Sequence, residues 1–164
     1  MDRKGERAIL AIGVRTNMEE LNQIKSILER SSVKEIHIAH LPGYLKMRKW
    51  QIGGSSGFFH LDMTFSMADE NVGVIYPCRI GYDTIQYLES YEINLIEVPE
   101  NELRNCAPNI LPVSSGKVKI PSRNPETTKE LRKEGVDCNE VPLSEFAKGG
   151  GGPRCLTLDL IRDE

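Results

Sequence analysis

Three side chains in this sequence are of the types that transfer protons and form covalent intermediates. His60 and Asp62 stand two residues apart, and Cys155 follows four glycines, a proline and an arginine. Because side chains alternate along a strand, a strand through His60 would present the imidazole and the carboxylate on one face, where they suit proton transfer beside a cationic substrate. The glycines adopt positive φ without strain and bring backbone amides close to a ligand. The pattern therefore predicts that Cys155 is a nucleophile.

Each of these signals also has a purely structural interpretation. A single cysteine in a strand is more often a buried small apolar residue, and we interpret Cys78, Cys106 and Cys138 in this way. A His-x-Asp pair by itself is typical of a surface or capping role, and a glycine run is typical of a linker. His37 and His40 are three residues apart in a predicted strand, so they face opposite sides and predict no metal site.

Composition narrows the class of protein. The 164 residues, 39% of them hydrophobic and 27% charged, fit one globular domain over residues 1–164. The formal net charge of −3 offers no basic excess, so we expect no nucleic-acid partner. No apolar run approaches the roughly 20 residues that cross a bilayer, and we expect a cytoplasmic protein with no membrane partner. Four cysteines without a CxxC pair predict neither a disulfide framework nor a zinc site.

The elements that must position the reactive residues begin with a strand, a helix and a second strand. An apolar run at 7–14 predicts the first strand, and apolar residues at helical spacing predict a helix over 18–30, capped by Asn17. Alternation over 35–41 predicts the second strand. The segment 44–57 combines basic residues with a run of glycine and serine, so we expect a mobile loop there.

The rest of the chain repeats one order of elements. Strand, strand, helix, strand is predicted over 58–98 and again over 109–141, and Cys155 is predicted to begin a further first strand. The starts of these units, counted at His60, Asn109 and Cys155, are 49 and 46 residues apart. A repeat of this length predicts a blade-like α/β architecture in which equivalent strand starts converge near one axis. His60 and Cys155 are then expected to share a central site.

Three segments resemble the arginine deiminase branch of the guanidino-modifying, or pentein, superfamily. They are FHLDMTFSMAD at 59–69, NILPVSSGKVKIPSRNPETTKELRKEGVD at 109–137 and KGGGGPRCLTLDLIRD at 148–163. The resemblance covers most of the chain from residue 58 onward, and residues 7–50 fit more loosely. The family's fold is a five-bladed α/β propeller of strand-strand-helix-strand units. The resemblance therefore implies a partial pentein-type propeller with about three of the five repeats.

The same resemblance implies a mechanism. Cys155, as a thiolate, attacks the guanidinium carbon and expels ammonia or an amine. His60 protonates the leaving nitrogen and then activates the water that hydrolyses the intermediate. Asp62 binds the guanidinium through a charge-assisted hydrogen bond. A bound cation and a protonated imidazole both favour the thiolate, so the expected partner is a small guanidino or amidino substrate and no cofactor or metal is implied.

The sequence departs from the family pattern at the substrate's carboxylate end and in its acidic residues. A Glu-Gly-Gly-Asp segment, which supplies guanidinium ligands in the family, does not occur here. Gly150 stands where arginine deiminases have an arginine that holds the α-carboxylate, so free arginine is not implied as the substrate. Arg15 is the candidate for a second carboxylate-binding arginine. Gly152 and Arg154, beside the nucleophile, are further candidates for substrate binding.

Length gives a last expectation. At about 47 residues per unit, five units need roughly 235 residues, so this chain cannot close a five-bladed ring by itself. We expect self-association or a second chain that supplies the missing repeats. The leading hypothesis is a guanidino-group hydrolase whose site a partner completes, with hydrolysis and amidino transfer both open. The alternatives are a non-catalytic binding or regulatory protein on an incomplete pentein scaffold, and a nonfunctional remnant.

Overall fold

The computed structural model describes residues 5–13, 15–41 and 60–158. Its strands are β1 (Arg7–Ile12), β2 (Glu35–His40), β3 (Phe65–Met67), β4 (Val72–Ile75), β5 (Asn94–Glu97), β6 (Leu111–Ser114), β7 (Lys117–Pro121) and β8 (Asp137–Val141). Its helices are α1 (Met18–Leu28), α2 (Tyr82–Glu89), α3 (Glu100–Leu103), α4 (Pro125–Lys133) and α5 (Ser144–Ala147), with short 3₁₀ helices at Leu61–Met63 and Pro77–Arg79. The mobile loop predicted at 44–57 lies outside the described residues.

The N-terminal part has the predicted order of strand, helix and strand. β1 and β2 run parallel, with Ala8 opposite Ile36. The predicted cap of α1 is confirmed as a reciprocal pair, because the Asn17 side chain accepts from the Glu20 backbone N–H at 3.0 Å and the Glu20 carboxylate accepts from the Asn17 N–H at 2.7 Å. Such a capping box satisfies two donors that a helix N-terminus otherwise leaves without partners. Local chemistry alone therefore fixes where α1 begins.

The two predicted strand-strand-helix-strand units are both present. One contains β3, β4, α2 and β5, and the other contains β6, β7, α4 and β8. In each unit the first two strands are antiparallel and the last two are parallel. The strands of the described residues form three separate sheets and no closed one, so the propeller itself stays a prediction.

The first strand of each unit is preceded by a buried polar residue. Thr64 lies directly before β3, and Asn109 lies two residues before β6. Within the units, Met67 lies opposite Gly73 and Pro112 lies opposite Val118. The matching of His60 with Asn109 as equivalent repeat starts stays a prediction.

The two units share one hydrophobic core. The cluster draws buried residues from both units and from the segment between them: Ala68, Val72, Val74, Ile96, Val98, Leu103, Ala107, Ile110, Val118, Ile120, Leu131, Val136 and Cys138. Burial of apolar area on this scale is the main stabilising term in folding. The units thus pack directly against each other.

A buried carboxylate links the units a second time. Glu102, only 2% exposed, lies in α3 after the first unit and reaches the start of α4 in the second. Its oxygens accept the backbone N–H groups of Glu126 and Thr127 at 2.7 and 3.0 Å and the Thr127 hydroxyl at 2.6 Å. A carboxylate at a helix N-terminus satisfies backbone donors there and interacts favourably with the helix dipole. Glu102 therefore fixes α4 relative to the first unit.

Candidate active site

The segment that carries His60 and Asp62 is a turn and not a strand. Residues Leu61–Met63 form a 3₁₀ helix, in which Met63 N–H donates to the His60 carbonyl at 3.2 Å and Thr64 N–H donates to the Leu61 carbonyl at 2.8 Å. Because these donors bond back within the turn, they do not pair with a neighbouring strand. The prediction of a strand through His60, with both side chains on one face, is therefore wrong.

The segment around Cys155 is also a turn. Residues 153–156 are in turn conformation and 157–158 are irregular, so the strand predicted to begin at Cys155 is not present over 155–158. The glycines before it have a steric role. A Cβ at Gly152 would lie 2.8 Å from the Asn109 Oδ1 atom, and one at Gly151 would lie 2.9 Å from the Cys155 Cβ atom. Only glycine permits so close an approach of this backbone to its neighbours.

The structure brings Cys155 and Asp62 together across 93 residues of chain. The Cys155 Sγ atom lies 3.7 Å from Asp62 Oδ2 and 3.9 Å from the Met63 Sδ atom. The other carboxylate oxygen, Asp62 Oδ1, is buried and has no hydrogen-bond partner among the described residues. A buried acceptor without a partner is costly, and it is uncommon in folded proteins.

The other predicted site residues are two arginines, a glycine and His60, and they lie in different parts of the fold. His60 is exposed and immediately precedes the 3₁₀ helix, and within 60–158 its ring makes no hydrogen bond with Cys155. Arg15 is exposed between β1 and α1, on a different part of the fold. Gly152 is buried three residues before Cys155, and Arg154 is half-buried directly before Cys155. The substrate-binding roles of the two arginines and Gly152 stay predictions.

Electrostatics keep the Cys155 sulfur in its thiol form in the absence of a ligand. Cys155 reaches the surface, but partial burial of its sulfur raises the pKa of the thiol, and the Asp62 carboxylate raises that pKa further. The Gly152 backbone N–H and the Asn109 side chain act in the opposite direction and lower it. A nearby cation would therefore shift the equilibrium toward the thiolate, which is the reactive species.

The remaining cysteines test the interpretation that they are small buried residues. Cys106 and Cys138 are buried, and burial raises the pKa of the Cys106 thiol to about 11. Cys78 is exposed in the short 3₁₀ helix after β4, so the interpretation of Cys78 as buried was wrong. That exposed thiol, which lies on a different element, is a natural reference for the reactivity of Cys155.

Asn109 is the residue at this site that the sequence analysis used only as a repeat marker. Its side chain is 0% exposed and bonds to both segments of the site. The Oδ1 atom accepts the backbone N–H groups of Gly152 at 3.1 Å and Cys155 at 3.2 Å, and the Nδ2 atom donates to the Asp62 carbonyl at 3.3 Å. The one sequence signal for it was its position at the head of the 109–137 segment, just before an apolar strand.

Cys155 opens onto a surface cleft of about 450 Å³. The residues that line this cleft are Glu145, Phe146, Gly149, Gly150, Gly151, Cys155 and Leu156. Within residues 5–13, 15–41 and 60–158, no group of three or more His, Cys, Asp or Glu side chains is placed to hold a metal ion. In the same ranges no helix has the length and apolar character needed to cross a membrane.

Comparison with known proteins places the chain in a family. The family model for arginine deiminase matches residues 80–162, just over half of the sequence. The chain belongs to the arginine deiminase family. The matched region of this family member includes Asn109 and Cys155, whereas His60 and Asp62 precede it.

Curated relatives of this arginine deiminase family member are longer than the chain itself. The arginine deiminase of Latilactobacillus sakei is 28% identical over 192 aligned residues, which cover 95% of this chain and 44% of the relative. The uncharacterized protein YkgA of Bacillus subtilis is 36% identical over 107 residues, 65% of this chain and 37% of the relative. The chain therefore spans less than half the length of these relatives.

Solved structures share its fold. The N-terminal domain of ArgZ, an arginine dihydrolase from cyanobacteria, superposes with a TM-score of 0.76 at 24% identity, covering 96% of this chain and 52% of that one. The inosamine-phosphate amidinotransferase of Streptomyces griseus superposes with a TM-score of 0.71 at 16% identity, covering 95% of this chain and 43% of that one. This family member thus has the α/β fold of enzymes that act on guanidino groups.

Proposed function

We propose that this chain carries the nucleophile of a guanidino-group hydrolase. The observation that supports the proposal is the pairing of the Cys155 sulfur with Asp62, 3.7 Å away, whose second carboxylate oxygen is buried without a partner. A guanidinium or amidinium group carries several N–H donors in one plane around an electrophilic carbon. Two of its N–H groups bonded to Asp62 would hold that carbon over the sulfur, as a nucleophilic attack requires.

The reaction proceeds in two displacements at the same carbon. The Cys155 thiolate bonds to the guanidinium carbon, the C–N bond breaks, and the leaving nitrogen takes a proton from His60 and departs as ammonia or an amine. A water molecule then gives a proton to His60 and bonds to the carbon. The C–S bond breaks, the thiolate is restored, and the product carries a C=O group where the substrate had a C=N group.

The substrate's own charge activates the nucleophile. Burial and the Asp62 carboxylate raise the pKa of the Cys155 thiol, so the unliganded protein holds mostly thiol at neutral pH. A bound cation beside the sulfur stabilises the thiolate by Coulomb attraction in a partly desolvated site. The same cation neutralises Asp62. A cationic substrate therefore reacts, whereas a neutral analogue of equal size binds less well and meets a less reactive sulfur.

The proposal includes carboxylate ligands from outside these residues. The 164 residues contain no Glu-Gly-Gly-Asp segment, and they span 44% of the arginine deiminase of Latilactobacillus sakei. The source that we propose for further carboxylate ligands of the guanidinium is a second copy or another chain. Native mass spectrometry with and without substrate tests this part of the proposal. A monomer that turns over substrate at a rate independent of protein concentration would contradict it.

The decisive experiment is turnover by matched cysteine variants. We expect the wild-type protein, alone or with its partner, to release ammonia or an amine from a panel of guanidines and amidines. Cys155→Ala should lower the rate at least about 10³-fold. Cys78→Ala removes an exposed thiol on a different element and should leave the rate unchanged. Equal rates in the wild type and Cys155→Ala would contradict the mechanism.

A second candidate function rests on the position of His60. Because its ring makes no hydrogen bond with Cys155 within the described part of the chain, the fold also suits a non-catalytic protein that binds guanidino compounds. Calorimetry separates the two functions. Saturable binding of a guanidino ligand to the wild type, without turnover at any protein concentration, would favour the binding protein.

A further inference from the structure

The Asn109 side chain connects the two halves of the site. It is fully buried, and it bonds to the Cys155 turn, 46 residues away in sequence, and to the Asp62 turn, 47 residues away. The contacts with Gly152, Cys155 and Asp62 all involve main-chain atoms of those residues, so they fix the backbone from which the reactive side chains project. The separation of the sulfur and the carboxylate therefore depends on this amide.

We propose that Asn109 is a positioning residue that holds the Cys155 sulfur against the Asp62 carboxylate in the geometry needed for attack. The inference rests on the proposed function, since it assigns Asn109 a role in that same reaction. Asn109 acts mainly through the two turns that carry the reacting groups, and its side chain also lowers the pKa of the Cys155 thiol.

The chemistry of the amide explains why asparagine suits this position. One oxygen with two lone pairs accepts both backbone N–H groups, and the NH₂ group donates to the Asp62 carbonyl. An aspartate would keep the acceptor but lose the donor, and it would add a second negative charge near Asp62. An alanine would leave the buried N–H groups of Gly152 and Cys155 without this acceptor.

The groups around the sulfur allow the effect of replacing Asn109 to be measured as a change in the pKa of Cys155. Burial and the Asp62 carboxylate raise the pKa of the Cys155 thiol, while the Gly152 N–H and the Asn109 side chain lower it. Other titratable groups near it are the buried Cys106 thiol, Glu145, which lines the same cleft, and the adjacent Arg154. Replacing Asn109 by aspartate removes a lowering contribution and adds a raising one. Both changes raise the pKa of the Cys155 thiol.

The test is the pH dependence of Cys155 alkylation by iodoacetamide, followed by mass spectrometry. We expect Asn109→Asp to raise the apparent pKa of Cys155 by about one unit or more. The matched control is Asn124→Asp, because Asn124 is equally buried and donates to the carbonyls of Asn105 and Pro121, away from the sulfur. This control should leave the Cys155 titration unchanged. Equal titrations in the wild type and Asn109→Asp would overturn the proposal.

A second measurement needs no variant and therefore decides the question even if Asn109→Asp does not fold. Hydrogen exchange of the wild-type protein should show protected amides at Gly152 and Cys155, because both donate to a buried acceptor. Exchange at those two amides at the rate of an unstructured peptide of the same sequence would overturn the proposal.

Turnover separates this inference from the proposed function. In Asn109→Asp we expect kcat to fall about 10- to 100-fold with a smaller change in KM, because the substrate binds but the sulfur is misplaced. A fall in KM or stability alone, with an unchanged kcat, would overturn the positioning role. A wild-type protein without any turnover would contradict the proposed function, whereas the titration and exchange results would still decide whether Asn109 places the thiol.

Discussion

The two strand-strand-helix-strand units have the same topology but differ in the buried polar residue that precedes the first strand. Thr64 in the first unit and Asn109 in the second both lie within two residues of that strand, and both are fully buried. The Thr64 hydroxyl has no hydrogen-bond partner within the described ranges, whereas the Asn109 amide bonds to two other segments. The side chain before the first strand therefore determines whether that part of a unit only packs or also joins other segments.

The helices of the two units also differ in the contacts that anchor them. α2 follows Gly81 and has no side-chain cap, and it contacts the N-terminal part through Thr84, whose hydroxyl lies 3.0 Å from His37 Nε2. α4 begins at Pro125, and the Glu102 carboxylate of the preceding segment satisfies its first donors. Each helix is therefore anchored by the part of the chain before it. The second anchor is charged and buried, and the first is half-buried.

The largest effect should distinguish His60 from a polar residue that lies before the second unit. That reference residue is Asn105, which donates to the Arg123 carbonyl away from Cys155. We expect His60→Ala to lower turnover about 10²- to 10⁴-fold, because the leaving nitrogen loses its proton donor. Asn105→Ala should retain most of the turnover. Equal losses in the two variants, measured as kcat, would remove His60 from the mechanism.

Asp62→Asn should lower turnover and raise the rate of Cys155 alkylation. Turnover of a guanidino substrate should fall about 10²-fold, since the charge-assisted bond to the substrate is lost. Because the Asp62 carboxylate raises the pKa of Cys155, its removal lowers that pKa and enlarges the thiolate fraction at any pH below it. Alkylation by neutral iodoacetamide at pH 8 should therefore become faster. A slower or unchanged alkylation would contradict the assigned electrostatics.

The anchor of α4 should contribute more stability than any charged group of α2. Glu102→Gln keeps the size of the side chain but removes its charge and one acceptor, so we expect the free energy of unfolding to fall by about 2 kcal/mol. Asp83→Asn changes an exposed carboxylate in the first turn of α2 and should cost less than about 0.5 kcal/mol. Urea denaturation followed by circular dichroism measures both. Equal costs would contradict the difference between the two anchors.

A smaller effect should follow from adding a side chain to the central strand of the first unit. A Cβ at Gly73 in β4 would lie 2.9 Å from the Phe65 ring. Gly73→Ala should therefore destabilise the protein by about 1 to 2 kcal/mol through overpacking. The fall in the urea midpoint measures this cost, and a stabilised variant would show that the ring moves aside without strain.

Local chemistry made part of the fold predictable from the sequence. The Asn17 and Glu20 cap and the Asn124-Pro125 start of α4 depend on residues within one turn of each other, so the sequence contains all the information needed. The apolar alternation before Phe65, in contrast, runs through a 3₁₀ helix without a break. Periodicity therefore could not reveal that the chain turns at Asp62 instead of extending.

Two residues of the candidate site could be chosen from the sequence, and the third could not. The types and motif positions of Cys155 and Asp62 predict their chemistry, which stays a prediction, and the structure brings the two within 3.7 Å. The role of Asn109 depends on how two turns pack against the start of β6. That packing follows from the shared core of the two units, which no local pattern encodes.

The most direct test of the account compares how fast Cys155 reacts with a cationic and a neutral reagent of the same size. For each thiol, the measured quantity is the ratio of its modification rate with 2-chloroacetamidine to its rate with 2-chloroacetamide. We expect this ratio to be at least about tenfold higher at Cys155 than at exposed Cys78, because Asp62 attracts the amidinium to the sulfur. This selectivity should be lost in Asp62→Asn. The same ratio of the two rates at Cys155 and Cys78 in the wild-type protein would contradict a guanidino site at Cys155.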